Sequence, residues 1–210
     1  STCEIAMGAA GRTIFVSGNG SGVAVLRYDP ATGALTQPAG PDGCITDDGS
    51  DGDAGTTCAD GRAIAGSYSM TIGPDGRTLY AGDRVGSGSV AVFAVDVASG
   101  LIAQLPGLGG CVNENGSSGC VDARAMNGAY GITFSPDGAN AYVPTGDSSL
   151  MAFRREAVPV CTPASATTPF QTPLTLTLPC SDPNGDAITR QVTAVPPNAT
   201  LGPVGAAGAV

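Results

Sequence analysis

Histidine, lysine and tryptophan are all absent from the 210 residues. Without histidine there is no Ser-His-Asp relay, no imidazole-ligated metal and no imidazole acid–base step. Without lysine there is no Walker-type phosphate loop and no Schiff-base chemistry. The nine basic residues are therefore all arginine. They face 18 acidic ones, for a formal net charge of −9. That surface repels nucleic acid and anionic membranes, so neither is an expected partner. Carboxylate, arginine, tyrosine and cysteine remain for catalysis, and no recognisable constellation of them stands out. The reading therefore leans away from an enzyme. No signal peptide or membrane-spanning run is visible in this stretch, and helical periodicity is nowhere sustained.

Glycine and proline are what the chain has in quantity, Gly 32 and Pro 16, beside 42% apolar and only 5% aromatic residues. With no collagen period, that mix describes a turn-dense β protein with enough apolar side chain for a core. It is also repetitive. Gly11-Arg12-Thr13 returns as Gly76-Arg77-Thr78, and Pro74-Asp75-Gly76 returns as Pro136-Asp137-Gly138. The pair Cys44/Cys58 returns as Cys111/Cys120. The period is sixty-odd residues and drifts with loop insertions, so the chain carries two copies and part of a third.

Turn residues divide the middle copy into four short strands. Residues 69–72 stop at Gly73-Pro74-Asp75-Gly76, where Pro fixes φ and Gly admits φ > 0. Residues 77–81 follow, then 90–95, apolar on both faces as a strand buried between two layers must be. Asp96-Val97-Ala98-Ser99-Gly100 turns the chain into 101–105, and Asp29-Pro30-Ala31-Thr32-Gly33 is the same turn one copy earlier. The first copy predicts strands at 4–7, 13–16, 23–28 and 35–37. The third predicts them at 129–135, 140–144 and 149–154, with no fourth. Four antiparallel strands per copy predict one blade of a β-propeller.

In 73–83 (GPDGRTLYAGD), 88–102 (GSVAVFAVDVASGLI) and 135–138 (SPDG) the chain resembles the seven-bladed propeller repeats of the lactonase-like and YVTN type, over about residues 4–154. The resemblance implies the fold and carries a lactonase-like hydrolase as an alternative function. The cysteine-bounded insertion is longer than the usual repeat of that family. Two blades plus part of a third do not close a ring, since propellers have at least four. Residues 1–154 are therefore expected to be a fragment of a larger ring, or to be completed by other copies through exposed blade edges.

The recurrence of cysteines at matching loop positions predicts disulfides, Cys44 with Cys58 and Cys111 with Cys120. It points to an oxidising, extracellular or cell-surface setting. Cys3 has no evident mate. Residues 155–169 read as a Pro/Thr/Ala linker. From 170 to 210 a second module is expected. Leu174, Leu176 and Leu178 alternate with Thr175 and Thr177 as in a half-buried strand, and Cys161 and Cys180 are placed to bridge. The stretches 182–189 and 196–201 resemble bacterial cadherin-like and Ig-like repeats, of which this would be the N-terminal part.

Asp182, Asn184 and Asp186 set oxygen ligands at alternate positions, a spacing calcium accepts. Asp47, Asp51 and Asp53 form a second acidic candidate, close enough to repel unless a cation intervenes. The second copy has Asn113, Glu114 and Asn115 there. No other cofactor is implied. The function expected is a non-catalytic extracellular binding or structural protein, its blades a rigid platform for a protein or glycan ligand. The alternatives are the lactonase-like hydrolase and a self-assembling subunit joined through blade edges.

Overall fold

The turns fold as their residues dictate. Asp96 accepts from Ala98 N (2.9 Å) and Ser99 Oγ (2.7 Å), and Gly100 closes the turn at φ +68°. Asp29 does the same with Ala31 N and Thr32 Oγ1, and Gly33 closes at φ +74°. These are Asx-type turns, in which a carboxylate replaces a backbone acceptor. In the computed structural model the described residues are 2–18, 22–50, 57–84, 88–155, 159–169, 172–182 and 188–189. They contain strands and short 3₁₀ turns and no α-helix, so the molecule is all-β. The chain divides into two units, Ser1–Glu156 and Ala157–Val210.

Three antiparallel-based sheets make up the first unit. Sheet I holds β1 (Thr2–Met7), β2 (Thr13–Gly18), β3 (Gly22–Tyr28), β4 (Leu35–Thr36), β5 (Cys44–Thr46) and β6 (Ala59–Asp60). Sheet II repeats the plan with β7 (Ser67–Ile72), β8 (Thr78–Asp83), β9 (Ser89–Val95), β10 (Ile102–Gln104), β11 (Cys111–Asn113) and β12 (Val121–Asp122). Sheet III has β13 (Thr133–Phe134), β14 (Asn140–Pro144) and β15 (Leu150–Arg154).

Two features differ from the sequence reading. The outer strand of each full repeat is split: β10 and β11 both pair with β9, as β4 and β5 both pair with β3. The cysteine loop is therefore not a mere insertion, because it supplies β11 and a parallel partner β12. In the third repeat the inner strand is interrupted. Ala129 bridges Thr145, and regular pairing resumes only at Thr133. Gly131 lies in the gap, and glycine weakens a strand by lacking a side chain to pack.

Two apolar layers lie between the sheets. Between I and II sit Phe15, Val23, Val25 and Ile45 with Met70, Leu79, Ala81, Ala91, Phe93 and Val95. Between II and III sit Tyr80, Val90 and Val92 with Ala129 and Val143. Strand β9 thus buries both faces, which is why it reads apolar throughout.

The segment joining one sheet to the next is also repeated. Ile64 N donates to Asp47 at 3.2 Å, and Met126 N donates to Glu114 at the matching position. Ala63 and Ala125 take left-handed φ of 60° and 59°. Their carbonyls accept from Ser89 Oγ (2.7 Å) and Ser149 Oγ (2.9 Å) of the following sheet.

In the second unit the described strands are β16 (Val160–Cys161) and β17 (Cys180–Ser181), antiparallel and joined by Cys161–Cys180. The strand expected over 174–178 does not form among the described residues. Leu174 is exposed, while Leu176 and Leu178 are half-buried. A one-faced strand needs a facing layer to bury its leucines, and the described part of this unit offers a pair of two-residue strands.

Candidate functional site: an arginine–tyrosine surface at the inner strands

Tyr68 is the second residue of β7, the inner edge strand of sheet II, and Tyr130 precedes β13 of sheet III. The two occupy the same repeat position, and stacking of the sheets sets their rings 5.9 Å apart, edge to face. Arg84 follows β8 at the same end and puts its guanidinium carbon 4.2 Å from the Tyr68 centroid. An exposed cation–π contact of this kind contributes about 0.5–1 kcal/mol. Arg84 is exposed and Tyr130 is 48% exposed, so the group presents aromatic face and positive charge to solvent. The sequence reading missed it. The one available signal was that tyrosines stand at matching positions of two copies.

Several turn carboxylates are held toward the ionised form by their own hydrogen bonds. Asp29, Asp75, Asp96, Asp137 and Asp147 all sit below the usual carboxyl range. For Asp96 the leading cause is the Ser99 hydroxyl, for Asp137 the Ser135 hydroxyl and for Asp147 the Thr145 hydroxyl. A general acid needs the opposite displacement.

The expected disulfides Cys44–Cys58 and Cys111–Cys120 are present, each stapling the loop between two parallel outer strands. Of the first acidic set, Asp182 lies just after β17, and Asn184 and Asp186 fall outside the described residues. Of the second, Asp47 caps Ile64 N, and Asp51 and Asp53 fall outside the described residues. Among the described residues no three His, Cys, Asp or Glu side chains are grouped to hold a metal. No described helix is long and apolar enough to cross a membrane. The Arg62 guanidinium turns to backbone carbonyls. It donates to Ser118 O and Gly119 O (both 3.2 Å), Leu105 O (3.3 Å) and Gly107 O (3.0 Å).

No family model matches this chain, and no curated protein matches it. Solved structures similar to it include a candidate 6-phosphogluconolactonase of Bacteroides fragilis, at TM-score 0.45 and 22% identity over 74% of this chain and 35% of that one. The periplasmic gluconolactonase of Pseudomonas aeruginosa gives 0.42 and 20% over 71% and 38%. Hydrazine synthase of Kuenenia stuttgartiensis gives 0.40 and 22% over 71% and 31%. This chain spans about a third of the length of those proteins. At TM-scores below one half these likenesses carry no argument.

Proposed function

We propose that the first unit consists of three consecutive propeller blades, the third short of its outer strand, and that the second unit begins an Ig-like or cadherin-like module. On this reading the protein works outside the cytoplasm as a non-catalytic binding platform. The observation that supports it best is the Arg84–Tyr68–Tyr130 surface, which brings together ring faces and a cation. Sugar rings stack on such aromatic faces, so a glycan is the favoured ligand. The three disulfides fit an oxidising compartment. Calcium at Asp182, Asn184 and Asp186 belongs to this reading as the cation of the second module.

Tyrosine emission tests it directly, because no tryptophan masks the signal. A panel of soluble oligosaccharides should contain members that change the emission of the unaltered chain saturably. The change should vanish in Tyr68→Ala and Tyr130→Ala and survive in Tyr28→Phe. A response indifferent to both alanine variants would defeat the reading.

The second reading is a lactonase-like hydrolase. Two of the similar structures bear lactonase names, which lie with this reading rather than the first, though their TM-scores of 0.45 and 0.42 give those names no weight here. Turnover of a lactone and ester panel at enzyme-like rates would put it in first place.

A further inference from the structure

The three disulfides are not equally held. Cys58, Cys111 and Cys120 are buried, and Cys44 is half-buried. Both of these bridges belong to sheets that are kept together by other bonds. β5 pairs with β3, and β11 pairs with β9. Gly61 N donates to Thr46 O at 2.7 Å and Ala123 N donates to Asn113 O at 2.8 Å, closing each parallel pair a few residues past its second cysteine. Should either bridge open, the sheet keeps its two thiols side by side, and closure is favoured again.

Cys161–Cys180 is placed differently. Cys161 is exposed and Cys180 is half-buried. Among the described residues β16 and β17 pair only with each other, through Val160 with Ser181 and Cys161 with Cys180. One further bond, from Thr162 N to Pro179 O at 2.9 Å, ends the ladder. Pro179 has no N–H with which to return a second, and Pro163 follows Thr162 directly. None of the described residues of this unit is buried. Two strands this short, with no apolar layer against them, are marginal at best in water. The sulfur–sulfur bond is therefore what fastens the ends of this loop, whose cysteines are separated by 19 in sequence. Once it opens, each thiol sees the other only at the effective concentration of a flexible loop, on the order of millimolar.

We propose that Cys161–Cys180 is a thiol–disulfide exchange site, at which a small thiol becomes attached to Cys161 and unfastens the strand pair. The thiolate attacks the sulfur of exposed Cys161 in line with the existing bond. A new sulfur–sulfur bond forms between the thiol and Cys161 as the Cys161–Cys180 bond breaks. The electron pair of the broken bond leaves on Cys180 Sγ, which then takes a proton from water. One disulfide replaces another, so the step needs no separate oxidant or reductant. Access and re-closure act in the same direction: the exposed bridge is reached first, and it is the one whose opened thiols are not held together. The buried bridges of the first unit are shielded on both counts. The proposal rests on pairing and exposure within the second unit and is indifferent to ligand binding at Tyr68 and Tyr130.

The probe is reduced glutathione, titrated into the full oxidised chain. Samples are quenched in acid, alkylated and cut with trypsin, and the peptides are read by mass spectrometry. Peptide 156–190 carries both cysteines, and its fragmentation shows which of them holds glutathione. Glutathione on Cys161 with Cys180 alkylated is expected, at a concentration at least about tenfold below the one that opens Cys44–Cys58 or Cys111–Cys120. Cys3 is read in its own peptide, 1–12, and does not enter the comparison. Hydrogen exchange gives the structural readout. The Thr162 amide should exchange faster in the modified chain, while the Gly61 and Ala123 amides keep their protection. The double variant Cys161→Ser with Cys180→Ser should show the same fast exchange at Thr162 without any thiol present. Opening of all three bridges at one concentration overturns the proposal, as does earlier opening in the first unit. Glutathione found on Cys180 in place of Cys161 overturns the assigned point of attack. Unchanged Thr162 exchange in both the modified chain and the double variant overturns the unfastening.

Discussion

Arg155 Nη1 lies 2.7 Å from Asp75 Oδ2, tying the residue after β15 to the β7–β8 turn of the neighbouring sheet. The two side chains are 9% and 15% exposed, and Arg155 Nε donates to Gly138 O. Arg155, assigned by sequence to the linker, thus belongs to the first unit. In the preceding sheet contact the same two repeat positions hold Ala10 and Val95, which line one small crevice. Contact is made by van der Waals packing in one interface and by an ion pair in the next. Removing one partner of a largely buried pair leaves a stranded charge. Arg155→Ala should therefore cost about 3 kcal/mol in chemical denaturation, and Asp75→Ala with Arg155→Val together should recover much of that. A single-variant loss below about 0.5 kcal/mol would place the pair among surface bridges.

The same carboxylate makes stability acid-sensitive. Burial of Asp75 pushes its pKa up, but the Arg77 N–H, the Thr78 hydroxyl and Arg155 outweigh it and hold it below 3.8. A folded-state pKa below the unfolded one contributes stability that is present above the unfolded value and is lost as pH falls through the folded one. The urea midpoint should be level above about pH 5 and drop below about pH 4. Asp75→Asn should shrink that drop. An identical profile in the variant would count against the assignment.

The Cys44–Cys58 bridge closes a loop with a sequence separation of 14. Constraining an unfolded loop of that size contributes about 3 kcal/mol, so Cys44→Ser with Cys58→Ser should lower the melting temperature by about 10 °C. Calorimetry of the variant against the unaltered chain reads this, and a shift under about 2 °C contradicts it.

Gly100 is needed twice over. Its φ is +68°, and a Cβ there would stand 1.9 Å from Thr13 Oγ1 of the adjacent sheet. Gly100→Ala should destabilise by about 2 kcal/mol, strain and overlap together. Gly33→Ala has the same sign of φ and open space around it, so it should cost about half as much. Equal losses in thermal unfolding would mean that the sheet contact does not matter.

Ala63 and Ala125, left-handed at φ 60° and 59°, run the other way. Glycine relieves that conformation, so Ala63→Gly and Ala125→Gly should each raise stability by about 0.5 kcal/mol. A loss in both would show that the left-handed geometry is absent in solution.

The Asp-to-Gly turns, the strands they bound and the three cysteine pairs were legible in the sequence, because each depends on residues close along the chain or on a repeated spacing. The two-faced apolar pattern of residues 90–95 likewise announced a strand covered on both sides. What the pattern could not carry was which residues meet across sheets. Tyr68 beside Tyr130, Arg62 on the carbonyls around β10 and Arg155 on Asp75 are contacts between segments far apart in sequence. Their partners are chosen by the rotation and offset of one sheet on the next, and composition and periodicity do not encode either. Asp47 is the plainest instance: the fold places its carboxylate on the N–H of Ile64, a residue it does not neighbour in sequence. Local chemistry determined the elements of this protein, and packing between sheets decided what their side chains do.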